Sequence, residues 1–282
     1  MDPDNKPSKS PGDGAKRRSR WVDWGLTAAL LLIAALVLAP LAGTLMGPDD
    51  LPAGGEPLVK PSSREPPGTG LSPPPPPCAR QSVIGTLARK GTVARDAASP
   101  SAKPVRAFTR ITPLVSQQVF LLQRQVLGED GATWFRALLP IRPNGSTGFI
   151  PGKDLVVRTT LYRLDLDRRR FMLKLYEGCR LVRTFRVGIG TGRTPTPVGQ
   201  FYLTSLIELP DPATMYGPYA YGLSGYSEVL ESWKFGGIIG LHGTNDPSSI
   251  GRRSSHGCIR MNNRDIRALV RILPLGTPIE IH

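Results

Sequence analysis

The chain has 282 residues, with 36 Lys and Arg against 22 Asp and Glu, a formal charge of +14. That length suits about two ordinary domains. The basic surplus fits a solvated Arg-rich surface, an anionic polymer, an anionic membrane or nucleic acid, but no zinc-finger spacing or aromatic-basic RNA signature is present to support the last, and three widely separated cysteines exclude a dense disulfide framework.

Residues 1–20 carry Lys6, Lys9, Lys16, Arg17, Arg18 and Arg20 among Gly and Pro, and predict a disordered basic segment in the cytoplasm. Residues 21–47 open with Trp21 and Trp24 and continue in an uncharged run from Gly25 to Gly47. About 20 apolar residues cross a bilayer as a helix, and the aromatic belt and the positive-inside rule place everything after Pro48 outside the cell membrane. The alternative is a cleaved signal peptide and a secreted protein, but the run is long and no Ala-x-Ala site follows it. Residues 48–77 are a Pro-rich linker ending in Pro73-Pro74-Pro75-Pro76-Pro77, a semi-rigid polyproline spacer.

Residues 78–157 alternate in short strands, among them Val83–Ala88, Gln118–Leu122, Thr133–Leu139 and Thr147–Ile150, with turns at Glu129-Asp130-Gly131 and Arg142-Pro143-Asn144-Gly145. The stretch from Trp134 to Pro151 resembles the C-terminal half of bacterial Src-homology-three-like barrels. The resemblance implies a small β-barrel that binds the wall or serves as a spacer.

Residues 158–282 read as a second, β-rich unit, so the expected fold class is mainly β with one helix after the nucleophile. Leu161–Leu166, Phe171–Tyr176 and Leu181–Ile189 form a meander with period-two patterning. Gly190–Phe201, with Pro195, Pro197 and three glycines, is a rigid loop entering a strand. Residues 206–235, rich in Tyr, Trp and Pro, predict a long loop acting as a substrate lid. A helix is expected from Asn263 to Leu273, with Ile266, Leu269, Val270 and Leu273 on one face and Asn262 as its cap. Thr277–Ile281 predicts a final strand. Cys78 and Cys179 would lie outside the membrane, where a disulfide between them is conceivable.

The chemistry concentrates in Ser254-Ser255-His256-Gly257-Cys258-Ile259-Arg260 and, upstream, Gly240-Leu241-His242-Gly243-Thr244. Two of the chain's three histidines meet one thiol here, the pattern of a Cys/His nucleophilic site. Cys258 is the expected nucleophile, its pKa lowered by a neighbouring imidazole. His242 is the expected base, with the Gly243 carbonyl orienting its second nitrogen. His256 shapes the pocket, and the Gly257 and Cys258 amides are candidates for an oxyanion hole. Zinc on His242, His256 and Cys258 is chemically possible, but ligands at i and i+2 match known zinc spacings poorly. No metal or cofactor is expected.

Together with Thr196-Pro197-Val198-Gly199-Gln200-Phe201, these two stretches resemble the L,D-transpeptidase catalytic domain of bacterial cell-wall enzymes, over about Leu161 to Ile281. The resemblance implies a cysteine acyl-enzyme. Cys258 would attack the meso-diaminopimelate-D-Ala bond of a peptidoglycan tetrapeptide stem, release D-Ala, and pass the acyl group to the amine of a second stem, giving a 3→3 cross-link. Water or a protein amine as acceptor, and a non-catalytic wall-binding protein, are the alternatives. Some members carry Asn where Arg260 stands; Arg260 would pair with a substrate carboxylate. The other expected substrate contacts are Tyr221, Trp233, Thr244 and Ser255. Anionic wall polymer and the membrane are the further expected partners.

Overall fold

Period-two alternation of apolar and polar residues runs through most of the chain, and strands follow from it. The computed structural model describes residues 81–231 and 234–282. The expected basic segment, transmembrane anchor, proline linker, Cys78 and Trp233 therefore lie outside the described residues, among which no helix is long and apolar enough to cross a membrane.

Seven antiparallel strands come first: β1 (Ser82–Leu87), β2 (Gly91–Arg95), β3 (Pro104–Thr109), β4 (Val119–Leu127), β5 (Thr133–Leu138), β6 (Thr147–Pro151) and β7 (Leu155–Thr160). Their order in the sheet is β3-β2-β6-β5-β4-β1-β7. Phe108 on β3 meets Phe120 on β4 edge-to-face at 5.0 Å, although three strands separate them in that order. The sheet therefore curls on itself around one core, to which Leu87, Phe135, Leu139 and Ile150 also contribute. β7 pairs with β1 along its whole length, so this unit ends at Thr160, three residues beyond the expected boundary.

The second unit is built from β8 (Tyr162–Asp167), β9 (Met172–Glu177), β10 (Arg180–Arg186), β11 (Ile189–Gly190), β12 (Gly199–Glu208), β13 (Tyr219–Tyr226), β14 (Ile238–His242), β15 (Arg253–Ser255), β16 (Ile259–Arg260), the helix α1 (Asn263–Val270) and β17 (Pro278–Ile281). Eight of these strands form one sheet, β10-β9-β8-β17-β12-β13-β14-β16. Leu164, Leu173, Phe201, Leu241, Ile259 and Ile266 belong to its continuous core.

Two expectations change here. The stretch 206–235 is not one lid loop, because Tyr219–Tyr226 is a strand paired with both β12 and β14. Its glycines hid the alternation. Gly225 is required by packing, since a Cβ there would sit 2.6 Å from the Phe201 ring. The helix also stops at Val270, and Asn262 caps it without a side-chain hydrogen bond. The Asn262 carbonyl accepts from the Asp265 and Ile266 amides instead.

The two sheets share a small core. Tyr202 on β12 is fully buried among Ile84, Val119, Leu121 and Leu138 of the first unit. Its hydroxyl lies 3.3 Å from the Val119 carbonyl and 3.2 Å from that of Leu138. Tyr202→Phe keeps the ring and removes the donor from two buried carbonyls. We expect it to lower the unfolding free energy by about 1–2 kcal/mol in urea titration; an unchanged midpoint would show the hydroxyl to be idle.

Candidate active site

β14 and β16 run parallel, with Leu241 opposite Ile259 and His242 opposite Arg260. Paired residues in a parallel ladder project to the same face, and alternate residues share it. His242, Arg260, Gly240 and Cys258 therefore fall on one face, with Cys258 one step back, opposite Gly240. Gly240 has no side chain to fill the gap. Its amide donates to Cys258 Sγ at 3.3 Å. A Cβ at Gly240 would lie 3.4 Å from His242 Cδ2 and 3.6 Å from Cys258 Sγ, so thiol and imidazole meet over this one residue.

His242 is 3% exposed, and its Nδ1 is 2.6 Å from the Gly243 carbonyl. A carbonyl can only accept, so Nδ1 carries the proton and Nε2 presents its lone pair. Burial pushes the imidazole pKa down to about 4; the Gly243 carbonyl opposes this and the Arg260 charge adds to it. Burial also raises the Cys258 thiol, against the Gly240 amide and Arg260, which pull it down. Burial thus disfavours the charged form of both groups. This corrects the expectation of a thiol pKa lowered by the imidazole: in a desolvated site, separating charge costs more than the neighbour returns.

The turn that presents Cys258 is held from beneath. Gly257 has φ +119°, a conformation L side chains rarely adopt, and a Cβ there would meet Ile239 at 2.9 Å. Thr196 Oγ1 donates to the Gly257 carbonyl at 2.7 Å and accepts from the Gly190 amide at 2.9 Å. Ser255 Oγ donates to the Cys258 carbonyl at 2.6 Å and accepts from the Gly257 amide at 3.2 Å. The expected rigid loop at residues 190–199 is thus the cradle of the nucleophile turn.

Cys258 and His242 open onto a cavity of about 320 Å³. His256 is exposed on its wall, where the sequence placed it. Several expected contacts have other roles. Tyr221 borders the cavity, but its ring is fully buried and its hydroxyl donates to the Leu273 carbonyl at 3.0 Å. Thr244 is 4% exposed, and its hydroxyl accepts from the Asp246 amide at 3.0 Å. Ser255 is spent within the turn, as above, and the Gly257 amide is engaged by it rather than aimed at a substrate oxygen. Arg260 stands beside the pair, and its buried Nε has no partner among the described residues.

The sequence reading missed four contributors. Tyr216 packs its ring edge-on to His242, with centroids 4.9 Å apart. Asn263 Oδ1 accepts from the Thr244 amide at 2.8 Å and fixes the strand end after His242. Gly240 supplies the amide at the sulfur. Leu114, from the first unit, lines the cavity. Only Gly240 left a local trace, as part of the quoted glycine-rich run. Cys258 is free, whereas Cys179 is disulfide-bonded.

Comparison with known proteins bears on this site directly. A family model for the L,D-transpeptidase catalytic domain matches residues 161–281. A Bacillus licheniformis protein named as an L,D-transpeptidase, YkuD, is 35% identical over 162 residues, 55% of this chain and 90% of the relative. Its Bacillus subtilis counterpart is 32% identical over 52% of this chain and 85% of the relative. A solved structure, Bdellovibrio bacteriovorus Bd1075, is 26% identical with a TM-score of 0.35, over 44% of this chain and 47% of that one. The matched residues 161–281 begin where the second sheet begins and include both β14 and the Cys258 turn, so the chain belongs to the L,D-transpeptidase family and is a transpeptidase enzyme.

Proposed function

We propose that this enzyme forms 3→3 cross-links between peptidoglycan stem peptides, with Cys258 as nucleophile and His242 as the proton carrier. The observation that carries the reading is the placing of Cys258 Sγ and the His242 ring around Gly240, whose amide donates to the sulfur, on the wall of one cavity.

In this reading His242 acts as general base to the thiol. The thiol proton passes to His242 Nε2 as sulfur bonds to the meso-diaminopimelate carbonyl carbon. The C–N bond then breaks, and the imidazolium returns the proton to the departing D-Ala amine. A thioester remains. The side-chain amine of a second stem attacks it, the C–N bond forms, the C–S bond breaks, and the amine proton returns through His242 to the thiolate. The Gly240 amide, already on the sulfur, serves as a donor to charge developing there. Arg260, with its unpartnered buried Nε, pairs with a stem carboxylate. Tyr216 and His256 bound the pocket.

In this reading the chain is held at the membrane by residues 21–47, its catalytic unit outside, and the +14 charge favours anionic wall polymer. Incubating the purified protein with disaccharide-tetrapeptide and resolving the products by mass spectrometry tests it. Cross-linked dimer with loss of one D-Ala is the expected product. Free tripeptide alone would make the enzyme a carboxypeptidase, and no thioester at all would remove the reading.

A further inference from the structure

We infer that the cleft between the two sheets, beside the Cys258 pocket, is a second substrate site that holds the acceptor stem peptide. The inference rests on the reading of Cys258 as the acylated nucleophile.

The cleft is a cavity of about 640 Å³ bounded by both units. It shares Leu114 and Ile238 with the Cys258 cavity, so those two side chains stand between the two volumes. The second volume is not an apolar packing defect. Its buried lining includes Gln118, Thr204 and Ser205, exposed by 5%, 8% and 1%. Gln118 donates to the Val119 carbonyl and Thr204 to that of Gly222. Ser205 Oγ has no partner among the described residues.

The rim specifies what enters. Arg142 is fixed there, donating to the Ser227 carbonyl at 2.7 Å and to that of Gly236 at 3.0 Å, with its guanidinium 5.1 Å from the Tyr226 ring. Arg106 lines the same cavity, is exposed, and makes no ion pair among the described residues. Two guanidinium groups beside a polar wall suit an extended peptide bearing carboxylates. A stem peptide carries such carboxylates. Held by its carboxylates at Arg106 and Arg142, it directs its side-chain amine past Leu114 and Ile238 to the thioester. There nitrogen bonds to the acyl carbon, sulfur leaves, and the amine proton is taken by His242. The first unit is then part of the catalytic apparatus and not only a spacer.

The test separates the two half-reactions. With disaccharide-tetrapeptide as donor, acylation of Cys258 is followed by intact mass, and products are resolved into cross-linked dimer and hydrolysed tripeptide. Arg106→Glu is expected to acylate at the wild-type rate. Arg106→Glu is expected to lower the dimer-to-tripeptide ratio by about fivefold, the scale of one exposed charge contact. Acylation and cross-linking falling in parallel, or an unchanged ratio, would overturn the inference. Titrating disaccharide-tripeptide, which has no D-Ala to lose, into Cys258→Ser protein gives a second readout, with binding weakened in the Arg106→Glu background. If the wild-type enzyme makes no cross-link yet binds tripeptide in this Arg106-dependent way, the cross-linking function fails and the cleft site stands. Absence of tripeptide binding sinks the site.

Discussion

Replacing Cys258 by alanine is expected to remove turnover by ~10⁴-fold or more, the scale seen when a nucleophile of a catalytic unit is deleted. The site offers no substitute. Cys179 is disulfide-bonded, and Cys258 is the free cysteine among the described residues. Ser255 and Thr196, the nearest hydroxyls in the turn, are committed to the Cys258 and Gly257 carbonyls. Cys258→Ser tests the chemistry more finely. The hydroxyl keeps the shape but is a far weaker acid than the thiol, and an imidazole depressed to about 4 is a poor base for it. Both variants should fold as the parent does, because the turn is held by carbonyl contacts that do not involve sulfur. Intact mass after incubation with tetrapeptide reads the result: an acyl adduct on the Cys258→Ala variant would mean that another residue is the nucleophile.

The second large effect belongs to His242. His242→Gln removes the base while retaining a polar side chain, and kcat/KM should fall by about 10²–10⁴-fold, the range for a lost general base. The pH dependence gives an independent reading. The pKa of His242 is about 4 in the folded protein against 6.5 for the free side chain. The neutral imidazole therefore persists through mildly acid pH, and the acid limb of kcat/KM should lie near pH 4 rather than near 6.5. The same shift bears on stability. Between about 6.5 and 4 the unfolded chain takes up a proton that the folded protein refuses, so this group's contribution declines as pH falls through that window. The full loss is about 3 kcal/mol. Urea unfolding of wild type and His242→Gln at pH 7 and near pH 4.5 should show the gap between them narrow or reverse on acidification. An acid limb near 6.5, or equal pH slopes for both proteins, would contradict a desolvated neutral imidazole.

The nucleophile and base were legible because their signal is local. A thiol after glycine in a turn and a histidine ending a hydrophobic strand each occupy a few consecutive residues, and the parallel pairing of β14 with β16 brings them together. The meander β8–β10 was legible for the same reason, its alternation being unbroken. β13 was not, because Gly222, Ser224 and Gly225 trade side-chain pattern for close packing against β12. β3 was missed because Pro104–Thr109 is exposed at five of its six positions and shows no buried face. Tyr221 and Trp233 drew attention as aromatics near the site, yet sequence order does not say which way a ring points. Tyr221 faces the core and Tyr216 faces His242. Leu114 was beyond reach altogether, since it arrives from the other sheet, 144 residues before Cys258 along the chain.

The Tyr202 contact has a consequence for how this protein is cut and inherited. The matched catalytic segment starts at residue 161, yet the buried side chains clustered with Tyr202, namely Ile84, Val119, Leu121 and Leu138, come from before it. A fragment trimmed to the family boundary would present that ring and its hydroxyl to water, along with the second-sheet wall of the cleft that Leu114 and Arg142 complete. The smallest portable piece of this transpeptidase therefore begins at the first strand of the small sheet. A recombination event that exchanged the small sheet for another module would have to supply a new cover for the same tyrosine, so the two sheets form one heritable block although only one of them carries the nucleophile.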